Sequence, residues 1–468
     1  MTEDLLRLSA IDLVEGFREK RFSPVDVCRA TFAHIAAVNP TLNAFQHLDE
    51  EGAMAQARQS EARWQHGAPL GVVDGVPTTI KDNILAMGWP TLSGSRTINP
   101  DQEWAEDGPG TARLRESGAV LVGKTTMPEF AWKVMTDSPL FGITRNPWDT
   151  AVTPGGSSGG AAAATAGGMG VLALATDGGG SIRVPASRCG LVGFKPTHGR
   201  VPDYPPSRFG TNSNVGPITR TVRDCAVMMN IISRPDARDW YGLPPHEGDY
   251  LAELEGGVKG LRMAYSPNLG SGVEIDPEVE AATRRAADTF RSLGAVVEEI
   301  DFDPALYALG SGAYFVMRCV MQATLMRQIP TQRQALMDPA LVTTSKAHAF
   351  GVFAYSEAEQ QRRVFGSRLN QMLTTYDVLI CPTMQSLPER VEMETPSPHL
   401  TAVFNASRHP AISIPCGLSK AGLPIGLQLI GGHYRDGLLM QAAAAFEAEC
   451  GFPALPVHGV PTVAAAVA

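Results

Sequence analysis

The charged positions leave one long gap, from Asp149 to Asp177, in which no charged side chain occurs. It opens on PGGSSGG (Pro154–Gly160), continues through an Ala/Gly-rich run, and becomes apolar at Val171–Thr176. It ends on DGGGSIRVP (Asp177–Pro185). Small residues over Gly159–Ala166 predict a tightly packed helix, and Val171–Thr176 a buried strand. Ser157 and Ser181 therefore stand in two glycine turns 24 residues apart. Ser181 emerges from a buried strand into its turn, where neighbouring backbone N–H groups can face an oxyanion.

Elsewhere the pattern alternates between the two periods. Ser9-Ala-Ile-Asp12 is a capping-box start, and Ser23-Pro24 opens a helix with Val25, Val27, Phe32, Ile35 and Val38, predicted to stop at Asn39-Pro40. Gly71–Ile80 reads as turn then strand, ending on Lys81-Asp82-Asn83, and Ala119–Val122 as a short strand between glycines. Strands are predicted at Leu261–Tyr265, Ala295–Ile300, Val378–Pro382, Ala411–Pro415 and Ile425–Ile430, with helices at Glu278–Leu293 and Leu438–Cys450. This alternation predicts an α/β protein built on a largely buried sheet. No repeat or linker divides it. Gly242–Gly257 is the weak candidate for a boundary or surface excursion, and Leu309–Glu359, rich in Met, Phe and Tyr, reads as core or as substrate-facing helices.

Composition narrows the function. The 468 residues are 44% hydrophobic and 19% charged, ordinary for a globular chain, and the net charge of −9 argues against a nucleic-acid surface. Seven scattered cysteines without a C-x-x-C pair predict reduced thiols in a cytoplasmic protein. MTEDLLRLSA lacks an apolar signal core, and the charge-free run is too rich in glycine and small polar residues for a membrane span, so a soluble chain is expected.

Three familiar patterns fail on context. Gly118–Thr125 matches the phosphate-loop spelling, but its spacer AVLV is itself the strand and Pro128 blocks the helix that should follow. Gly168–Ala173 spells a dinucleotide turn but leads into a strand instead of leaving one. Gly155–Gly159 spells a nucleophile elbow at Ser157, yet a loop precedes it, and His198, His409 and His433 sit in no catalytic motif. No metal-spaced His/Cys cluster appears.

The blocks GVPTTIKDNI, GAVLVGKTTMPEF, FGITRNPW, PGGSSGGAAA, DGGGSIRVPAS, GFKPTHGRVP and GPITRTVRD, with FNASRHPAISIPCG and GLPIGLQLIGG near the C-terminus, resemble the amidase signature family. The resemblance implies that family's fold, a large mixed β-sheet with helices on both faces. It implies one domain over residues 1–468, with a motif-bearing core at about 70–225 and a variable, substrate-facing insert at about 230–400. It also implies hydrolysis of linear amides at C–N bonds other than peptide bonds. In that scheme Ser181 is the nucleophile and Ser157, after a cis peptide from Gly156, bridges it to the base Lys81. The N–H groups of Gly178, Gly179, Gly180 and Ser181 form the oxyanion hole, Ser158 and Asp177 support the turns, and Ala131 and Trp132 approach the acyl pocket.

No cofactor or metal is implied, and the partners expected are a small amide substrate and a homodimer mate, with neither nucleic acid nor membrane. Arg183 reads as a structural ion-pair group; Arg408 either holds a substrate carboxylate or faces solvent. One alternative within the family is the glutamine-hydrolysing component of a tRNA-dependent amidotransferase, which works with partner subunits. Phe209–Pro217 (FGTNSNVGP) and Arg408 depart from what that component would carry, favouring a free-standing amidase. Outside the family, the alternatives are a Ser–His–acid hydrolase using Ser157 and a nucleotide-binding module using Lys124.

Overall fold

A computed structural model describes residues 4–347, 350–394 and 396–459. In chain order the strands are β1 (Phe45–Leu48), β2 (Pro77–Lys81), β3 (Val120–Thr125), β4 (Asp137–Ser138), β5 (Gly142–Ile143), β6 (Leu172–Asp177) and β7 (Val192–Lys195). They continue with β8 (Asn214–Thr219), β9 (Arg262–Tyr265), β10 (Val296–Glu299), β11 (Val378–Pro382), β12 (Ala411–Leu418) and β13 (Pro424–Gly431). Apart from the small β4–β5 pair, all join one 11-stranded sheet in the order β1-β3-β2-β6-β8-β7-β12-β13-β11-β9-β10. The sheet is mixed: β3, β2 and β6 run parallel, as do β11, β9 and β10, and antiparallel pairings join these two groups.

Alternation along β6 sorts the two faces. Leu172 and Leu174 enter the largest core, with Leu13, Val222 and Phe446 from three helices. Ala173 and Ala175 turn the other way, onto Ala161, Ala162 and Ala166 of the helix Gly159–Ala166 and Ala186 of the helix Arg183–Cys189. Every residue of Gly159–Ala166 is buried. Its composition follows from the approach distance: a Cβ on Gly160 would lie 2.5 Å from the Thr126 amide nitrogen. Only the smallest side chains let this helix sit so close to the sheet.

Three expected boundaries move. The second helix runs Pro24–Leu42, through Pro40, and stops at Asn43 in the left-handed conformation (φ 52°). Pro40 falls in the last turn, where its missing N–H removes one rung of the ladder and only two helical residues follow. β3 passes through Gly123, because β1 packs so closely there that a Cβ would meet the His47 carbonyl at 2.2 Å. Lys124 is thereby drawn into a buried strand. Gly242–Gly257 contains the short helix Tyr250–Glu253, whose Tyr250 is buried in the main core. Among the described residues no helix is long and apolar enough to cross a membrane.

Candidate active site

Parallel pairing carries the chemistry to one end of the sheet. Thr78 and Ile80 of β2 stand opposite Leu172 and Leu174 of β6, so Lys81 and Thr176 emerge together at the C-terminal ends, where open α/β sheets place their ligands. Lys81 is fully buried, and its Nζ donates to Ser157 Oγ (2.8 Å) and Thr176 Oγ1 (2.9 Å). Asn83 Nδ2 also donates to Thr176 Oγ1 at 3.0 Å. Burial pushes the Lys81 amine down to about 7, although the charges of Asp177 and Asp82 oppose the shift. Near neutral pH a large fraction of this lysine is therefore an uncharged amine able to take a proton.

Ser157 follows a cis Gly156–Ser157 peptide, as the resemblance implied, and stands just before Ser158, the N-cap of the Gly159–Ala166 helix. Ser158 ties the two serine turns together: its N–H donates to the Ser181 carbonyl (3.3 Å) and its Oγ to the Thr176 carbonyl (3.2 Å). Ser157 and Ser181 both line a cavity of about 500 Å³, with Ala131, Trp132, Thr176, Gly178, Gly179 and Tyr314. The two hydroxyls are not hydrogen-bonded to each other among the described residues.

The second turn is held from beneath. Asp177 accepts from the N–H groups of Gly180 (2.7 Å) and Ile182 (3.2 Å) and from the side chains of Arg183 (3.0 Å) and Asn405 (2.8 Å). Burial would raise its carboxyl, but the Arg183 guanidinium, together with the Asn405 amide and the Lys195 charge, holds it well below the ordinary carboxylate range. Arg183, also fully buried, donates further to Thr401 O, Gln428 Oε1 and Asn405 Oδ1, the structural role expected of it. Gly180 has committed its N–H to Asp177 and does not line the cavity, whereas Gly178, Gly179 and Ser181 do.

Ala131 and Trp132 both reach the cavity wall. The backbone turns into it through two consecutive non-glycine residues of positive φ, Phe130 (51°) and Ala131 (60°). Glu129 holds this turn, accepting from Ser95 Oγ and the Asp338 N–H at 2.6 Å each, and Trp132 Nε1 donates to Asp338 Oδ2 at 3.2 Å. Arg408 does not line the cavity; its guanidinium lies 6.0 Å from the Tyr241 ring centre. Thr176, Asn83, Asn405 and Tyr314 escaped the sequence reading. Thr176 adjoins the DGGGS block, Asn83 closes IKDN and Asn405 lies in FNASRHPAISIPCG, so membership of or adjacency to those blocks was the available signal.

The competing motifs find no support. Lys124 is fully buried, with Nζ donating to Ile84 O (2.7 Å) and to Thr91 Oγ1, so its neighbours form a strand core and not a phosphate loop. Among the described residues no histidine lines the cavity. His409 stacks on His433 at 4.0 Å and His198 packs edge-on against Tyr241. Among the described residues no group of three or more His, Cys, Asp or Glu side chains is placed to hold a metal ion.

The model of the amidase family matches residues 26–440. Curated relatives include a glutamyl-tRNA(Gln) amidotransferase subunit of Myxococcus xanthus, 35% identical over 96% of this chain and 98% of that one. An acylamidase of Rhodococcus erythropolis is also 35% identical, over 96% of this chain and 97% of its own. Among solved structures, a bacterial aryl acylamidase of the amidase signature family superposes with a TM-score of 0.87 at 32% identity, covering 95% of this chain and 96% of that one. A 6-aminohexanoate cyclic dimer hydrolase in complex with its substrate gives 0.85 at 28% identity, over 97% and 98%. With the buried lysine, the paired serine turns and the mixed sheet already in place, these matches establish that the chain belongs to the amidase signature family.

Proposed function

We propose that this chain is a free-standing amidase that hydrolyses linear carboxylic amides to carboxylate and ammonia or amine through an acyl-enzyme on Ser181. The observation that carries the reading is the 2.8 Å contact between Ser157 Oγ and a fully buried Lys81, beside the cavity that Ser181 lines. A serine hydroxyl needs a base, and lysine serves only when neutral, the state its burial favours here. On substrate binding the Ser181 hydroxyl turns toward Ser157, and catalytic hydrogen bonds of this kind tighten in the complex. Ser157 then passes the Ser181 proton to Lys81 while Ser181 Oγ attacks the amide carbon. The developing oxyanion meets the N–H groups of Gly178, Gly179 and Ser181, each such donor being worth roughly 3 kcal/mol of barrier. Lys81 returns the proton through Ser157 to the leaving nitrogen, the C–N bond breaks, and water repeats the sequence on the acyl-enzyme.

A second reading, the glutamine-hydrolysing component of an amidotransferase, is favoured by the Myxococcus relative at the same 35% identity as the acylamidase. The sequence departures at Phe209–Pro217 and Arg408 weigh against it. All seven cysteines are free, which suits the expected cytoplasmic setting. Ammonia or amine release by the lone chain over glutamine, short aliphatic, aryl and dicarboxylic monoamides separates the readings. Turnover of non-glutamine amides with glutamine inert is the expected result; activity confined to glutamine would transfer the assignment to the amidotransferase component.

A further inference from the structure

The helix Pro304–Gln328 gives the cavity two polar side chains that the acyl-transfer scheme leaves unused. Tyr314 is buried, and its hydroxyl lies against the glycine turn, so that a Cβ on Gly179 would come within 2.0 Å of Tyr314 Oη. That hydroxyl makes no hydrogen bond to another described residue. Arg318 stands one helical turn further on. It donates Nη2 to the Trp132 carbonyl at 3.2 Å and has no carboxylate partner among the described residues. The neighbouring cation, Lys133, is by contrast neutralised by Asp137 and Asp338. Glu394 also borders the cavity, but on its exposed rim.

A guanidinium half withdrawn from water gains most from a planar oxyanion, to which it can offer two parallel donors. We propose that Arg318 is the specificity-determining residue of this cavity, binding a carboxylate carried by the amide substrate while the Tyr314 hydroxyl hydrogen-bonds the scissile amide. The substrate class is then an amide that bears an acid group, on either its acyl or its amine portion. This proposal rests on the acyl-enzyme reading of Ser181.

The test compares two isosteric pairs: glutaric acid monoamide against glutaramide, and 4-acetamidobenzoate against 4-acetamidobenzamide. Wild type is expected to prefer the acid in at least one pair by about tenfold or more. The acid-to-neutral ratio of kcat/KM should fall by roughly 10- to 100-fold in Arg318→Met, chiefly through KM, as expected for loss of a charge-assisted bond. Arg318→Lys, which keeps the charge, should restore part of it. Preference for the neutral member in both pairs overturns the proposal, and so does a ratio unchanged in Arg318→Met, which would assign Arg318 to bracing Trp132. The underlying reading fails separately: Ser181→Ala retaining wild-type turnover would sink it, whereas a charge-blind enzyme silenced by Ser181→Ala would sink only the role of Arg318.

Discussion

Lys81→Met keeps most of the side-chain volume in the buried slot at the end of β2 but removes the amine and its bonds to Ser157 and Thr176. Burial brings that amine from 10.5 to about 7, with Asp177 and Asp82 pulling the other way. At about 1.4 kcal/mol per pH unit, holding it inside the fold costs about 4 kcal/mol at pH 7 and about 2 kcal/mol at pH 9. The sign follows from proton binding. Between pH 7 and 10.5 the unfolded chain binds more protons than the folded one, so wild-type stability rises with pH across this window. Methionine removes the penalty but leaves the Ser157 hydroxyl without its partner, while Thr176 keeps Asn83, at a cost of about 1–3 kcal/mol.

The variant should therefore be inactive and, at pH 7, more stable than wild type by about 1–3 kcal/mol. That advantage should shrink as the pH rises and vanish or reverse by about pH 9–10. Urea unfolding of both proteins across pH 6–10 checks it, and a stability difference that does not change with pH would refute a depressed Lys81. Activity gives the kinetic counterpart. Wild-type kcat/KM should climb with pH on the acid side and level off above about 7. A flat profile from pH 5 to 9, with chemistry rate-limiting, would contradict Lys81 as a neutral base.

Ser181→Ala should lower turnover by about 10⁴-fold or more without changing the unfolding midpoint, and a fluorophosphonate should label Ser181 in wild type; labelling at Ser157 instead would revive the elbow. Thr176→Val removes an acceptor that favours the Lys81 ammonium, so the acid limb of the pH profile should move to lower pH while kcat drops about tenfold. Arg183→Met leaves the fully buried Asp177 carboxylate without its counter-ion and should cost about 3–5 kcal/mol in urea unfolding; a loss under about 1 kcal/mol would show that Asn405 and the turn N–H groups suffice.

Local signals were legible where they were complete. The small-residue run Gly159–Ala166 forms the predicted helix to the residue, and Val378–Pro382 the predicted strand. Errors came where a local breaker was overridden: Gly123 by the close packing of β1, distant in sequence, and Pro40 by its place near the helix end, where only one rung is lost. The order of the 11 strands was not readable, since each lateral pairing depends on contacts between segments far apart in the chain. Lys81, Ser157 and Ser181 stood out because each lies in a short glycine- or strand-bounded block. The commitment of the Gly180 N–H to Asp177 did not, because a backbone donor has no letter in the sequence.

Tyr314 and Arg318 were hidden for a different reason, which bears on how the site divides its work. The groups proposed for chemistry sit among residues too crowded to gain a methyl group: a Cβ on Gly156 would lie 2.8 Å from Met135 backbone, and one on Gly160 2.5 Å from that of Thr126. Such close approach permits few residue types, so it writes a recognisable string of glycine, alanine and serine. The helix Pro304–Gln328 meets the same cavity through long side chains on a more open face. There a tyrosine or arginine can be exchanged without rebuilding the backbone, and neither leaves a motif. Close packing fixes what the site can do to an amide; the looser helix is free to decide which amide it meets. Substitutions at Gly156 or Gly160 should therefore cost folding and all turnover together, while those at Arg318 should redistribute turnover among substrates.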